Sequence, residues 1–131
     1  MIFMIQGKSE RLQNLVNSFV EKRSSVSAII IASEEGLPIV SKIDPNSKEV
    51  EFFLSAVVSS LSSTFSNIIN TLKMKPAEDV NIDLKTGAMV IHNLKENVSV
   101  GVIIRSSEDF EDSSKSILQD LSEQIEGILF S

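Results

Sequence analysis

One short segment, residues 26–32, limits the possible folds of this chain more than any other. Its apolar side chains fall on both faces of an extended strand: Val26, Ala28 and Ile30 on one face, and Ile29 and Ile31 on the other. A strand that is apolar on both faces must be covered on both faces, so it lies inside a sheet. The segment therefore predicts a layered protein with helices above and below its sheet.

The residues after this strand predict a hairpin at one edge of the sheet. Ser33-Glu34-Glu35-Gly36 has the composition of a turn, and Leu37 to Lys42 returns as a second strand. Because Pro38 has no N–H to donate to a ladder, that strand is expected at an edge.

The remaining periodicities complete one domain spanning residues 1–131. Apolar residues at helical spacing predict a first helix from about Lys8 to Arg23 and a last helix from about Ser107. Alternating segments at residues 80–84, 88–94 and 98–105 predict three more strands. With a long central helix, the order is α-β-β-α-β-β-β-α. The expected fold class is α/β (α+β), a five-stranded antiparallel sheet with helices on both faces.

The central helix, predicted from about Lys48 to Leu72, carries no charged residue from Phe52 onward. The uncharged stretch is long enough to span a bilayer, but about half of it is Ser, Thr or Asn, which argues against insertion into a membrane. We therefore expect a soluble, cytoplasmic protein. On a helical wheel the apolar residues form one stripe, the apolar stripe, which is expected to face the core: Val50, Phe53, Leu54, Val57, Leu61, Phe65, Ile68 and Leu72. Val58 and Ile69 widen the core-facing surface on one side of this stripe.

The opposite face of this helix, here called the polar face, is small and uncharged: Phe52, Ala56, Ser59, Ser63, Ser66, Asn67 and Asn70. A solvated helix usually carries Lys and Glu there. Ser55, Ser59 and Ser63 recur every four residues, and such small side chains let another helix approach closely. Loss of charge in favour of small and apolar residues is typical of the centre of a protein interface. The polar face and Ser55 are therefore predicted to contact a dimer mate or a partner protein.

Composition excludes several classes of function. The net charge of −6 and the scarcity of aromatic residues argue against nucleic-acid binding. The chain has no cysteine and a single histidine, His92, so we predict neither a metal site nor a cofactor. The apolar opening Met1–Ile5 is shorter than the core of a signal peptide, and its role is open.

Candidate catalytic motifs are weak. Gly7-Lys8-Ser9 resembles the end of a phosphate-binding loop, but Ile2 occupies the position where that loop requires a glycine. The acids near the start of the last helix suit the positive end of the helix dipole: Glu108, Asp109, Glu111 and Asp112. No spacing links His92 to a particular serine or aspartate. We therefore predict no catalytic residues and no enzymatic activity.

The stretch from Ser27 to Ser41 resembles the first hairpin of the roadblock/LC7 family, which is related to longin domains. In both, a hydrophobic strand runs into an acidic turn, here Glu35-Gly36-Leu37-Pro38, and then into a second strand. Together with the element order, the resemblance covers about residues 8 to 130. It implies a dimer, with itself or with a roadblock paralogue, in which the long helices lie side by side.

The same resemblance implies two further features. The sheets of the two subunits would join edge to edge through the third strand, with Val80, Ile82 and Leu84 at the contact. The expected partners are small Ras-like GTPases or the roadblock-like domains attached to them.

These expectations lead to two hypotheses. The first is a non-enzymatic dimeric regulator or scaffold of a small Ras-like GTPase, recruited to membranes only through partners. The alternative is a small-molecule sensor, because similar sheets form profilin-like and PAS-like pockets. The even filling of the predicted strands with Val, Ile and Leu disfavours a large pocket.

Overall fold

The computed structural model describes residues 2–43, 47–75, 79–85, 87–105 and 114–131. In chain order, its helices and strands are α1 (Ile2–Lys22), β1 (Val26–Ala32), β2 (Pro38–Ile43), α2 (Lys48–Thr71), β3 (Asp79–Asp83), β4 (Ala88–Asn93), β5 (Ser99–Ile104) and α3 (Ser114–Leu129). A short 3₁₀ turn, Lys95–Asn97, joins β4 to β5. The predicted order of helices and strands is confirmed.

The five strands form one antiparallel sheet in the order β2-β1-β5-β4-β3. β1 pairs with β2 on one side and β5 on the other, as a buried strand requires. β2 lies at one edge, as Pro38 predicts, and its pairing with β1 is irregular near Pro38. Among the described strands, β3 forms the opposite edge, and it pairs only with β4.

Helices α1 and α3 cover one face of the sheet. Leu12 and Val16 of α1, and Leu121 and Ile125 of α3, are fully buried in the larger core cluster. Val26 also belongs to this cluster, on the same face as Ile29 and Ile31. Its predicted position beside Ala28 and Ile30 is wrong, because the pairing of β1 with β5 shifts register between Val26 and Ala28.

Helix α2 covers the other face, over a smaller core of Ile30, Ala32, Val58 and Ile91. It contacts strands β1, β2, β4 and β5. Among the described helices it alone is long and apolar enough to span a membrane by length and composition. Only 17% of that apolar window is buried within the fold.

Several helix boundaries differ from the predicted ones. α1 begins at Ile2 rather than Lys8, so Gly7-Lys8-Ser9 lies inside a helix and forms no phosphate-binding loop. The Lys8 ammonium donates to the carbonyl oxygen of Ser131 at 2.9 Å, which joins α1 to the end of the chain. α2 ends at Thr71, before the predicted stop at Lys75-Pro76. The predicted acidic start of the last helix, residues 108–112, lies outside the described residues.

Candidate protein-interaction surface

The rotation of α2 on the sheet differs from the predicted one, and the buried residues Ser55, Val58 and Ser62 lie between the apolar stripe and the polar face. Ser55 and Ser62 are buried beneath the helix, whereas Phe53 of the apolar stripe is 67% exposed and Leu72 is 64% exposed. Val50 and Ile68 are also exposed. The prediction that the apolar stripe faces the core is therefore wrong for these four exposed residues, whereas the other four residues of the stripe are half-buried.

The side chains on the buried side of α2 are small because the sheet lies close beneath the helix. A Cβ atom added to Gly101 of β5 would lie 2.5 Å from Val58 Cγ2 and 3.2 Å from Ile30 Cγ2. On the turn before β2, Gly36 has φ +85°, and a Cβ there would be 3.5 Å from the Cα of Ala56. Larger side chains on this side of α2 would lift the helix away from the sheet.

Hydroxyl groups on this side of α2 find acceptors within the protein. Ser55 Oγ donates to the carbonyl oxygen of Glu51 at 2.8 Å, one helical turn back. Ser59 Oγ donates to the carbonyl oxygen of Glu34 at 3.1 Å. Ser62 Oγ donates to Asn93 Oδ1. The recurrent serines therefore support close packing of α2 on its own sheet.

The predicted interface residues consequently divide into two groups. Ser55 is fully buried, so its predicted contact with another protein is wrong, and Ser59 and Ser66 are half-buried. The others on α2 are exposed, and their role in binding stays a prediction: Phe52, Ala56, Ser63, Asn67 and Asn70. On and after β3, Val80 and Ile82 are half-buried and Leu84 is exposed.

The apolar stripe follows the flank of α2 that faces the β3 edge. Leu61 packs against the same small core as Val80 and Ile82, which places this flank beside β3. Leu54, Val57 and Phe65 are half-buried, and Met74 after α2 and Leu84 after β3 are exposed. No charged residue interrupts α2 between Phe52 and Leu72. A continuous exposed apolar surface of this kind marks an interaction site.

The lone histidine has a structural partner that the sequence did not reveal. His92 of β4 lies opposite Asp79 of β3 in the antiparallel register, and its Nδ1 contacts Asp79 Oδ1. The pair joins the edge strand to its neighbour. Within the described residues, no group of three or more His, Cys, Asp or Glu side chains is placed to hold a metal ion.

Comparison with solved structures identifies the architecture. The chain superposes on the roadblock/LC7 domain from Streptomyces avermitilis with a TM-score of 0.75 and 14% identity, covering 91% of this chain and 98% of that one. Myxococcus xanthus MglB gives a TM-score of 0.76 with 10% identity, covering 92% and 89%. An MglB structure with a tetrameric arrangement gives the same values, a TM-score of 0.76, 10% identity, and coverage of 92% and 89%.

No protein-family model matches the sequence, and no curated protein is significantly similar to it. The likeness therefore lies in three dimensions, at identities of 10 to 14% in these comparisons. It extends along nearly the full length of both chains, so it concerns the whole domain. The chain has the roadblock/LC7 fold that its first hairpin and its element order indicate.

Proposed function

We propose that this protein is a non-enzymatic, dimeric regulator or scaffold of a small Ras-like GTPase. The observation that carries the proposal is the exposed apolar stripe of α2 beside the edge strand β3, which within the described part of the chain pairs only with β4. A monomer would leave both features in water. A second copy, or a roadblock paralogue, would cover both at once.

The apolar stripe supplies the favourable free energy of dimer formation. Phe53 is 67% exposed, Leu72 64% and Ile68 42%. Burying large apolar side chains of this kind stabilises an association by about 1.5–3 kcal/mol each when the burial is complete. In a dimer with two-fold symmetry each contact occurs twice. A few such residues are therefore sufficient to oppose the entropy cost of association.

The β3 edge determines how the two subunits are oriented in the proposed dimer. An exposed edge strand presents unpaired N–H and C=O groups that can pair with another chain. Val80 and Ile82 lie on the α2 side of β3, so edge-to-edge pairing of two sheets brings the two apolar stripes together. This arrangement retains the predicted roles of Val80, Ile82 and Leu84. It replaces the serines with the apolar stripe as the helical part of the interface.

The GTPase in this proposal is supported by the fold rather than by a recognised motif. Roadblock/LC7 domains typically engage small GTPases or domains attached to them, and the solved structures of this fold that resemble the chain include MglB. One of these has a tetrameric arrangement, which is consistent with self-association of the fold. We also propose that the protein acts in the cytoplasm and is recruited to membranes through its partners.

Two linked measurements test this function. Light scattering over a range of concentrations is expected to give twice the mass of the 14.4 kDa chain. Calorimetry with purified Ras-like GTPases from the same genome, loaded with GDP or with a non-hydrolysable GTP analogue, is expected to show binding to one state in preference to the other. A monomer at every concentration would contradict the dimer. Absence of binding by any GTPase in either state would contradict the regulatory role.

A further inference from the structure

The edge strand β3 carries acidic side chains on the face of the sheet opposite α2. Val80 and Ile82 pack in the small core beneath α2. Because side chains alternate along a strand, Asp79, Asn81 and Asp83 lie on the other face. Asn81 and Asp83 are exposed, and Asp79 is half-buried. The edge at which β3 would meet a dimer mate is therefore apolar on one face and acidic on the other.

The neighbouring strands contribute little positive charge to balance these acids. Strands β3, β4 and β5 contain no lysine or arginine. Asp79 contacts the imidazole of His92 on β4, which is charged only when the ring is protonated. Asp83 forms no ion pair with any residue in the described part of the chain, and Lys85 lies beyond the end of β3.

The proposed dimer would bring two such edges together. Both apolar stripes must lie on one face of the joined sheet, so the two-fold axis is perpendicular to the sheet and the two β3 strands run antiparallel. The register that pairs all five residues of β3 places Asn81 opposite Asn81 of the second copy. It also places Asp79 of each copy opposite Asp83 of the other.

This register makes one face of the contact favourable and the other unfavourable. On the α2 side, Val80 lies opposite Ile82 of the second copy, and such apolar pairs stabilise a sheet. On the other side, two pairs of carboxylates face each other with Cβ atoms about 4.5–5.5 Å apart, and like charges directly opposite destabilise the pairing. A shift of the register by two residues still leaves acids in diagonal contact, about 7–8 Å apart.

We propose that β3 pairs more tightly with the edge strand of a roadblock paralogue that carries Lys or Arg opposite Asp79 and Asp83 than with β3 of its own copy. The inference rests on the proposed dimer and names the chemistry of its preferred mate. The apolar stripe still allows self-association, but the acids at the two-fold axis make the self-dimer the weaker pair. Like-charge repulsion of this kind suppresses one partner in favour of another. The net charge of −6 favours the same choice, because it attracts a basic partner.

A charge-reversed copy of the chain can represent the basic mate in an experiment. In Asp79→Lys/Asp83→Lys, the introduced lysines would lie opposite the acids of an unmodified chain, whereas two copies of the variant would repel each other. The two proteins, one of them isotope-labelled, are mixed at equal concentration, and native mass spectrometry measures the mixed dimer and both homodimers. The squared amount of mixed dimer, divided by the product of the two homodimers, is expected to exceed its random value at least about tenfold.

A second double variant provides the matched control. Glu34→Lys/Glu35→Lys makes the same change in net charge on the exposed turn between β1 and β2, away from the β3 edge. Mixed with the unmodified chain, it is expected to give the random ratio, because its lysines lie outside the strand pairing. A raised ratio for this control as well would overturn the proposal, since net charge alone would then explain the preference.

A single reversal tests the same register without changing the contact between Asp79 and His92. In the homodimer of Asp83→Lys, each introduced lysine would lie opposite Asp79 of the other copy. Analytical ultracentrifugation is therefore expected to give a dimer dissociation constant about fivefold or more below that of the unmodified chain, whereas Glu35→Lys leaves it unchanged.

The outcomes separate this inference from the dimer on which it rests. Random mixing of Asp79→Lys/Asp83→Lys with the unmodified chain, or an unchanged dissociation constant for Asp83→Lys, would overturn the preference and leave the dimer in place. Monomers in every sample would contradict the dimer itself, and the preference with it.

Discussion

Replacement of Gly101 by alanine perturbs the contact that determines how α2 lies on the sheet. The new Cβ would lie 2.5 Å from Val58 Cγ2, where ordinary contact requires 3.4–4 Å, so the two groups must separate by about 1 Å. Overpacking of this kind costs about 1–3 kcal/mol. Replacing a glycine within a strand by alanine otherwise stabilises the folded state by about 0.5–1 kcal/mol. The expected result is a net loss of roughly 1–2 kcal/mol in the free energy of unfolding.

Urea unfolding followed by circular dichroism measures this loss, with every variant at one protein concentration because dimer dissociation shifts the midpoint. Gly127→Ala is the matched control, since a Cβ there meets nothing within 4 Å and alanine favours a helix. We expect that variant to be more stable than the unmodified chain. Adding Val58→Ala to Gly101→Ala removes the crowded methyl groups, so the double variant should lose less than the sum of the two single losses. Strict additivity, or an unchanged midpoint for Gly101→Ala, would refute the close contact.

Two further substitutions, the first paired with a control, test how α2 and its neighbouring turns are held. Gly36→Ala places a side chain at φ +85° and is expected to lower stability by about 1–2 kcal/mol, whereas Gly7→Ala in open helical surroundings should raise it, as urea midpoints will show. The reverse order of the two midpoints would argue against the left-handed turn. Asn93→Leu removes the common acceptor of Ser62 and Ser99, and we expect a loss of about 1–3 kcal/mol in the same assay. An unchanged midpoint would show that the two hydroxyl groups do not depend on Asn93.

Much of the fold could be predicted because its signals are local. The two-faced apolar pattern of residues 26–32 requires a central strand, and Pro38 requires an edge. Both are properties of a few neighbouring residues, and both are confirmed. The displacement of Val26 to the other face was not predictable in this way, because it arises from a shift in pairing with β5, a strand distant in the sequence.

The interaction surface was harder to predict because the rotation of α2 depends on residues outside it. A helical wheel assumes that the more apolar side faces the core, and by that rule the apolar stripe should be buried. The sheet instead presents Gly101 to the helix, and the space above a glycine accepts Val58 and small serines but not phenylalanine. Gly101 within an otherwise alternating strand is the one sequence signal of this close approach. Ser62, which anchors the helix to Asn93, carried no signal of its own.

The most direct measurement of the proposed interface compares two adjacent phenylalanines. Phe53 belongs to the apolar stripe and is 67% exposed, and Phe52, 53% exposed, lies on the polar face. Glutamate at either position leaves the core of the monomer intact, because both side chains are largely in solvent. Light scattering is expected to show that Phe53→Glu is monomeric, while Phe52→Glu forms the same dimer as the unmodified chain. A dimeric Phe53→Glu together with a monomeric Phe52→Glu would contradict the account and return the interface to the polar face.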